Sequence, residues 1–255
     1  MKTKFALIAI IAGAALMGCQ KEAEIGSIGQ QEDIRQARVT GVRNPVTVTT
    51  GRTEQKFMYD SQGKLQSIVA AGRLQKKFDY DGEGRLIRLA LAESGEEIRF
   101  RYDIGTLPAD AIRVKIHANG MQEEVSDIVF TFDEFERKTS EMETERATGT
   151  YTEFIFEYDE FDRLMSTQKN INGELSSLVR ADGLSDGFSH IAGLDVLALE
   201  PGSSLQIGLP NRLMVDDASG HNEIEFSYTL NRLEQPDMIA ESTNGRRSVK
   251  SRVTY

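Results

Sequence analysis

A single cysteine, Cys19, stands in 255 residues, so no internal disulfide can brace this chain and its stability has to come from packing. Tryptophan is absent, and the three histidines, His117, His190 and His221, are too few and too scattered for a metal-ligand motif. His190, in one segment with Asp195, and His221, beside Asp216 and Asp217, could converge only if that segment folds onto the rest. No GxSxG or HExxH occurs, and the glycines follow no strand-to-helix pattern that would cradle a phosphate. These absences point away from an enzyme and name no catalytic, cofactor-binding or metal-binding residue. The longest apolar run, Phe5 to Met17, falls well short of the ~20 residues that a membrane-spanning helix needs. Basic residues are also in deficit, 30 against 40 acidic ones, which argues against nucleic acid or an anionic membrane face as a partner.

What the N-terminus does have is Lys2 and Lys4 before that apolar run, and Leu16-Met17-Gly18-Cys19 after it. This is the pattern of a signal peptide over residues 1–18. It resembles a bacterial lipobox, in which the cysteine becomes the lipidated first residue of the mature chain. Acyl chains on Cys19 would then hold the protein to a membrane, at ~0.8 kcal/mol per buried CH₂. Cleavage would leave 28 basic against 40 acidic residues, a formal charge of −12. Gln20-Lys21-Glu22-Ala23-Glu24 resembles the short signal that sends some Bacteroidota lipoproteins to the cell surface, and reads equally as a flexible acidic tether. Residues 19–36 form the lipidated anchor and tether, polar and without an apolar period.

Residues 37–255 make one domain organised around Phe78 to Leu86, FDYDGEGRL. Phe78 and Tyr80 are two apart and share one strand face. Asp81 suits the first position of a type I turn and Gly84 the position that needs φ > 0. The same grammar recurs at Phe57 to Leu65, Phe100 to Asp103, Phe130 to Lys138, Phe156 to Leu164 and Phe226 to Pro236. Glu136 and Asp162 stand where the turn glycine is expected, and Glu136 is the less suited of the two. Capping their own turns accounts for Asp60, Asp81 and Asp133, which lack the dense spacing of a calcium loop. At the opposite hairpin ends sit Gly72, Gly95, Asn119-Gly120, Gly149, Asn172-Gly173 and Asn244-Gly245, and Asn-Gly between alternating runs is a strong hairpin signal.

Alternation is clear in Ile98, Phe100 and Tyr102 against Glu97, Arg99 and Arg101, and in Ile112, Val114 and Ile116 against Arg113, Lys115 and His117. Thr152, Phe154, Phe156 and Tyr158 oppose Tyr151, Glu153, Ile155 and Glu157, while Ile224, Phe226 and Tyr228 oppose Glu223, Glu225 and Ser227. The pattern predicts an all-β fold, an antiparallel meander of repeated β-hairpins forming one strongly curved sheet or open half-barrel, with rings of neighbouring units stacked across the sheet. The hairpin motifs resemble the tyrosine-aspartate repeats of the Rhs family. With its N-terminus, the chain is similar to a family of repeat-containing lipoproteins of Bacteroidota of unknown function. That resemblance implies a porin-like curved sheet in a cell-envelope, outer-membrane lipoprotein, exposed at the surface if the tether signal acts.

Two regions break the rhythm. Arg137 to Arg146 is polar on both faces apart from Met142, which suggests a strand projecting beyond the core. Its Glu141, Glu143 and Glu145 would line one face ~6.6–6.8 Å apart, near the spacing of paired glycosidase carboxylates, but without apolar neighbours they read as a solvated face. An insertion at about 181–222, with Pro201, Pro210 and the cluster Ile191, Leu194, Val196, Leu197 and Leu199, could plug the open side of the sheet. Three functions fit this reading. The first is a non-enzymatic envelope scaffold or binding module for protein or glycan, with Tyr151 as the exposed aromatic of its wet face. The second is a carrier holding a lipid or other apolar ligand in a half-barrel. The third is a carboxylate-dependent hydrolase of envelope polysaccharide.

Overall fold

A computed structural model of the chain describes residues 46–160, 163–185, 195–203, 209–230 and 236–255. The signal peptide, Cys19, the tether, Asp162 and His190 lie outside them. Sixteen strands follow one another: β1 (Thr47–Thr50), β2 (Thr53–Tyr59), β3 (Leu65–Ala70), β4 (Arg73–Tyr80), β5 (Leu86–Leu91), β6 (Glu96–Arg101), β7 (Asp110–Ile116) and β8 (Gln122–Phe132). Then come β9 (Lys138–Glu145), β10 (Tyr151–Tyr158), β11 (Leu164–Ile171), β12 (Glu174–Ser185), β13 (Leu209–Asp217), β14 (Gly220–Leu230), β15 (Pro236–Thr243) and β16 (Arg246–Thr254), with a one-turn helix α1 (Asp195–Ala198) between β12 and β13. Each strand pairs antiparallel with its predecessor, and β1 also pairs with β16 from Thr47↔Thr254 to Thr50↔Ser251. The expected open half-barrel is therefore a closed barrel. Closure satisfies the two edges that an open sheet would leave unpaired. Thr50 and Ser251 reinforce the seam through their hydroxyls, 2.8 Å apart. The 181–222 interruption is also narrower than expected, because β12 and β13 run into both ends of it.

The Asp turns are built alike. Asp81 Oδ1 accepts the backbone N–H of Glu83 and of Arg85, each at 2.9 Å, while its other oxygen takes Arg85 Nε at 2.8 Å. Asp133 does the same with Phe135 and Arg137. The turn arginine then lies over the tyrosine that ends the next aromatic pair, Arg85 over Tyr102 at 4.9 Å and Arg137 over Tyr158 at 4.9 Å. Those tyrosines close the link by donating to a carbonyl just past a preceding turn: Tyr80 to Leu65 at 2.7 Å, Tyr102 to Leu86 at 2.8 Å and Tyr158 to Lys138 at 2.9 Å. Burial raises the phenols of Tyr80 and Tyr102, the latter to about 12, so both remain donors across the physiological range.

A second regularity sets which side chains enter the barrel. After each of five turns one extra residue is inserted in the ladder: Tyr59 faces Leu65 but Met58 faces Ser67, and Tyr80 faces Leu86 but Asp79 faces Arg88. The units at Phe132, Tyr158 and Leu230 repeat the shift. Such a bulge lets residues three apart point the same way. Leu65 with Ile68, and Leu86 with Leu89, thus all enter one core with Phe78, Ile98, Phe100 and Phe130. Ring stacking differs from expectation: Phe154 with Phe156 and Phe226 with Tyr228 stack along one strand, 6.5 and 6.3 Å apart. Phe100 meets Phe130 across β7 at 6.1 Å, where the small, buried Ala111 leaves the rings room.

The β7 alternation is also inverted in part. Arg113 faces Ile98 on the core side, while Ile112 and Val114 face Arg99 and Glu97 on the other. Glu136 adopts φ 61° and keeps the turn bonds of its glycine-bearing counterparts. Since a side chain in this conformation costs ~1–2 kcal/mol, Glu136→Gly is expected to stabilise the protein by about 1 kcal/mol in urea denaturation. The hydrogen bonds led by the Arg85 N–H hold the Asp81 carboxyl below its ordinary value; at Asp133 burial opposes ionisation, but the bonds from Arg137 outweigh it. A lowered folded-state value gives stability that is present above the unfolded value of ~3.9 and lost as pH falls through the folded one. The unfolding temperature should accordingly drop below about pH 4, and less steeply in Asp133→Asn.

Candidate functional site

The bulge after the third Asp turn, at Asp133, places two charges where other units place two aliphatic side chains. Lys138 faces Phe132 as Leu86 faces Tyr80, and Glu141 faces Phe130 as Leu89 faces Phe78. Lys138 and Glu141 are 2% and 1% exposed. The expectation of a projecting, solvated strand is thus overturned: β9 lies between β8 and β10 in the wall and carries an enclosed ion pair. Sequence reading missed it because a regular strand puts residues three apart on opposite faces. Aligning the turns, KTSE over LIRL, would have exposed it.

Lys138 Nζ donates to Glu141 Oε2 at 2.6 Å and to the Ala198 carbonyl at 2.6 Å, and it lies 5.0 Å from the Phe156 ring centre and 5.7 Å from that of Phe130. Glu141 also accepts the backbone N–H of Gly202, and Lys76 on β4 pairs with Glu200. A Cβ on Gly202 would sit 3.2 Å from the Phe154 ring, so only glycine approaches β10 this closely. Leu197 and Leu199 pack on the main core cluster. Residues 195–203 thus touch β4, β9 and β10 at once. Ala198, bonded to Lys138 on β9, and Glu200, paired with Lys76 on β4, are two residues and at most ~7 Å apart, whereas five strand spacings of ~4.8 Å separate β4 from β9 along the wall, a gap closed only across the concave side. The apolar face is therefore the interior of the barrel, and this segment lies inside it. Of the apolar cluster expected to plug an open sheet, Leu197 and Leu199 pack on the core inside a closed wall, while Ile191 and Leu194 lie outside the described residues.

Burial pushes the Lys138 amine down and the Glu141 carboxyl up from their ordinary values, and each partner's charge counters the other's shift. Both groups are enclosed and satisfied, so no substrate atom reaches them; the pair acts as a latch on residues 195–203. Next to it, burial disfavours ionised Glu143, but bonds from Arg113 at 2.5 and 2.8 Å and from Ser126 outweigh this and hold its carboxyl low. Arg113 continues to Glu96 at 3.2 Å. Apart from the Lys138–Glu141 pair, the interior near the Asp turns is lined by the apolar cluster, and the Arg113 network lies farther along the strands. Glu145 is exposed, so the three β9 carboxylates have three environments.

The remaining candidates do not converge. His117 pairs with Glu123 at 2.9 Å and His221 with Asp216 at 2.7 Å, both exposed, and no group of three metal-ligating side chains exists among the described residues. Asp60, Asp81 and Asp133 cap their turns as expected. Tyr151 is half-buried, its hydroxyl over Gly173. An open groove of about 610 Å³ between β12 and β16 is lined by Asp182, Asn211, Arg212, Glu225, Phe226 and Glu241 among others, a polar border without a convergent catalytic group.

Removing one member of a buried pair strands the other, whereas replacing both with aliphatic residues restores a core. Lys138→Met alone should cost ~3–5 kcal/mol, and the double variant Lys138→Leu/Glu141→Leu should be neutral or more stable. In the double variant residues 195–203 lose two anchors, so limited proteolysis should cut there sooner than in the parent. Equal cleavage would exclude the latch.

No family model matches the chain, and no curated protein matches it. Among solved structures it is similar to a porin-like protein from Bacteroides vulgatus ATCC 8482, with a TM-score of 0.55 at 13% identity over 83% of this chain and 98% of that one. A porin-like protein from Bacteroides uniformis ATCC 8492 gives a TM-score of 0.53 at 11% identity, covering 82% and 97%. At these identities the likeness is one of fold: the chain is an antiparallel barrel of porin-like architecture.

Proposed function

We propose that the chain is a non-enzymatic module of the bacterial cell envelope, hung from a membrane by lipid on Cys19, with its barrel in water and its outer wall facing a protein or glycan partner. The observation that carries this reading is the charge on the outward side of the strands. Lys77, Asp79, Arg88, Glu97 and Arg99 form a continuous ladder across β4 to β6, with Lys77–Asp79 at 2.8 Å, Arg88–Asp79 at 3.1 Å and Arg99–Glu97 at 3.0 Å. Arg101 pairs with Asp110, and Arg146 with Asp127 at 2.7 Å. A barrel wall in lipid carries an outward apolar band, and each arginine there costs ~2–4 kcal/mol near the midplane. Arg88 and Arg99 stand mid-strand and would carry that cost, Arg101 at the end of β6 and Arg146 past the end of β9 less, so the wall suits water and the lipid anchor supplies the attachment. The porin-like likeness and the signal-peptide pattern both favour the envelope.

Separating anchor from wall tests the reading. In the native host, Cys19→Ser should move the protein from the membrane fraction to the soluble one, and in the parent protein Arg88→Glu/Arg99→Glu should reduce crosslinked partner capture from intact cells. Retention of Cys19→Ser in membranes after an alkaline wash would instead put the wall in lipid.

A further inference from the structure

We propose that the concave surface beneath residues 195–203 is a binding site for a long-chain aliphatic carboxylate, and that these residues occupy it as an internal stand-in. The segment has the parts of such a ligand. Leu197 and Leu199 lie in the apolar cluster, Glu200 presents a carboxylate to Lys76, and the Ala198 carbonyl accepts from Lys138. The receiving wall is a bed of rings and aliphatic side chains, Phe57, Phe78, Phe100 and Phe130 among them, with two ammonium groups set into it. Lys138 has a carboxylate on the wall itself, Glu141, but the carboxylate of Lys76 comes from the segment. A lone cation beside an apolar bed fits a single anionic head on an aliphatic chain. A glycan would need polar partners for many hydroxyls where this bed offers Lys76 and an already paired Lys138 and Glu141, and a zwitterionic head would bring its own cation to Lys76.

The segment is also held in a way that can be exchanged. Its helix has four residues, too short to persist alone, and it adds nothing to the strand ladder. Its residues from Leu197 to Ser203 are only half-buried, and among the described residues its contacts outside itself are with the wall. A tethered occupant acts at an effective concentration of roughly millimolar order. A free acyl chain gains ~0.8 kcal/mol for each CH₂ it buries, which allows it to compete.

The competition gives two substitutions opposite signs. Sodium oleate is titrated below its micellar concentration into the mature protein, with oleyl alcohol as the matched ligand lacking a carboxylate. Glu200→Gln removes the rival carboxylate and should tighten oleate binding by about threefold or more, while Lys76→Met should weaken it by a similar factor and leave the alcohol unchanged. Both side chains are partly exposed, and thermal unfolding verifies that each variant folds. Failure of oleate to bind saturably to parent and Glu200→Gln alike would overturn the proposal, as would equal affinity in those two proteins, or alcohol bound as tightly as acid. The anchor at Cys19 and the outer wall are the same in parent and variants, so failure of the comparison would leave the anchored-module reading standing.

Discussion

The constraint on which the barrel depends is the inserted residue that follows each Asp turn. A strand with strict two-residue alternation would offer the interior its first, third and fifth residues. With the insertion, the first and fourth enter instead, and Leu65–Ile68, Leu86–Leu89 and Lys138–Glu141 all meet the aromatic pair of the strand before. Bulges also increase local twist and bend a strand. Repeated around the wall, they help curve the sheet until β16 reaches β1. The tyrosine hydroxyls on carbonyls just past a turn tie one unit to another, so register errors in one hairpin would break a bond in its neighbour.

This explains which parts were legible. The aromatic pairs, the Asp turns and the Asn-Gly ends are local chemistry, and the structure places all three as the residues suggest: Asn172 and Gly173 take φ 50° and 83°, Asn244 and Gly245 take 49° and 72°. Closure was not legible, because β1 is four residues long and carries none of the repeat's marks. Its Val48 joins Ile239 and Val253, partners about two hundred residues away, which no local period encodes. Lys138 and Glu141 were misplaced because a ladder irregularity shifts the face, which only an alignment of the turns reveals. Arg113 was misplaced for another reason: β7 alternates regularly against β6, but its apolar Ile112 and Val114 take the face opposite Ile98.

An ion pair in a core position ordinarily contributes little net stability, since desolvation offsets the attraction. Its value here lies in geometry. Leucines at 138 and 141 would pack on Phe130 and Phe156 as well as those in other units do, but they would offer nothing to a carbonyl or an N–H. The amine and carboxylate fix Ala198 and Gly202 at defined points, and with Lys76 on Glu200 they set the segment across the interior in one orientation. A glycine at 202 is the corresponding requirement on the segment's side.

The two sides of the wall therefore divide the protein's tasks. Outside, exposed and half-exposed ion pairs contribute ~0–1 kcal/mol each, so they add little to stability. Inside, charges are few and each has an assigned partner, which makes the interior responsive to any molecule that can supply the same partner. A barrel whose stability comes from its hairpins and whose interior segment is held by polar contacts can exchange that segment without unfolding. That separation of wall from occupant distinguishes a module with an addressable interior from a core that is merely filled.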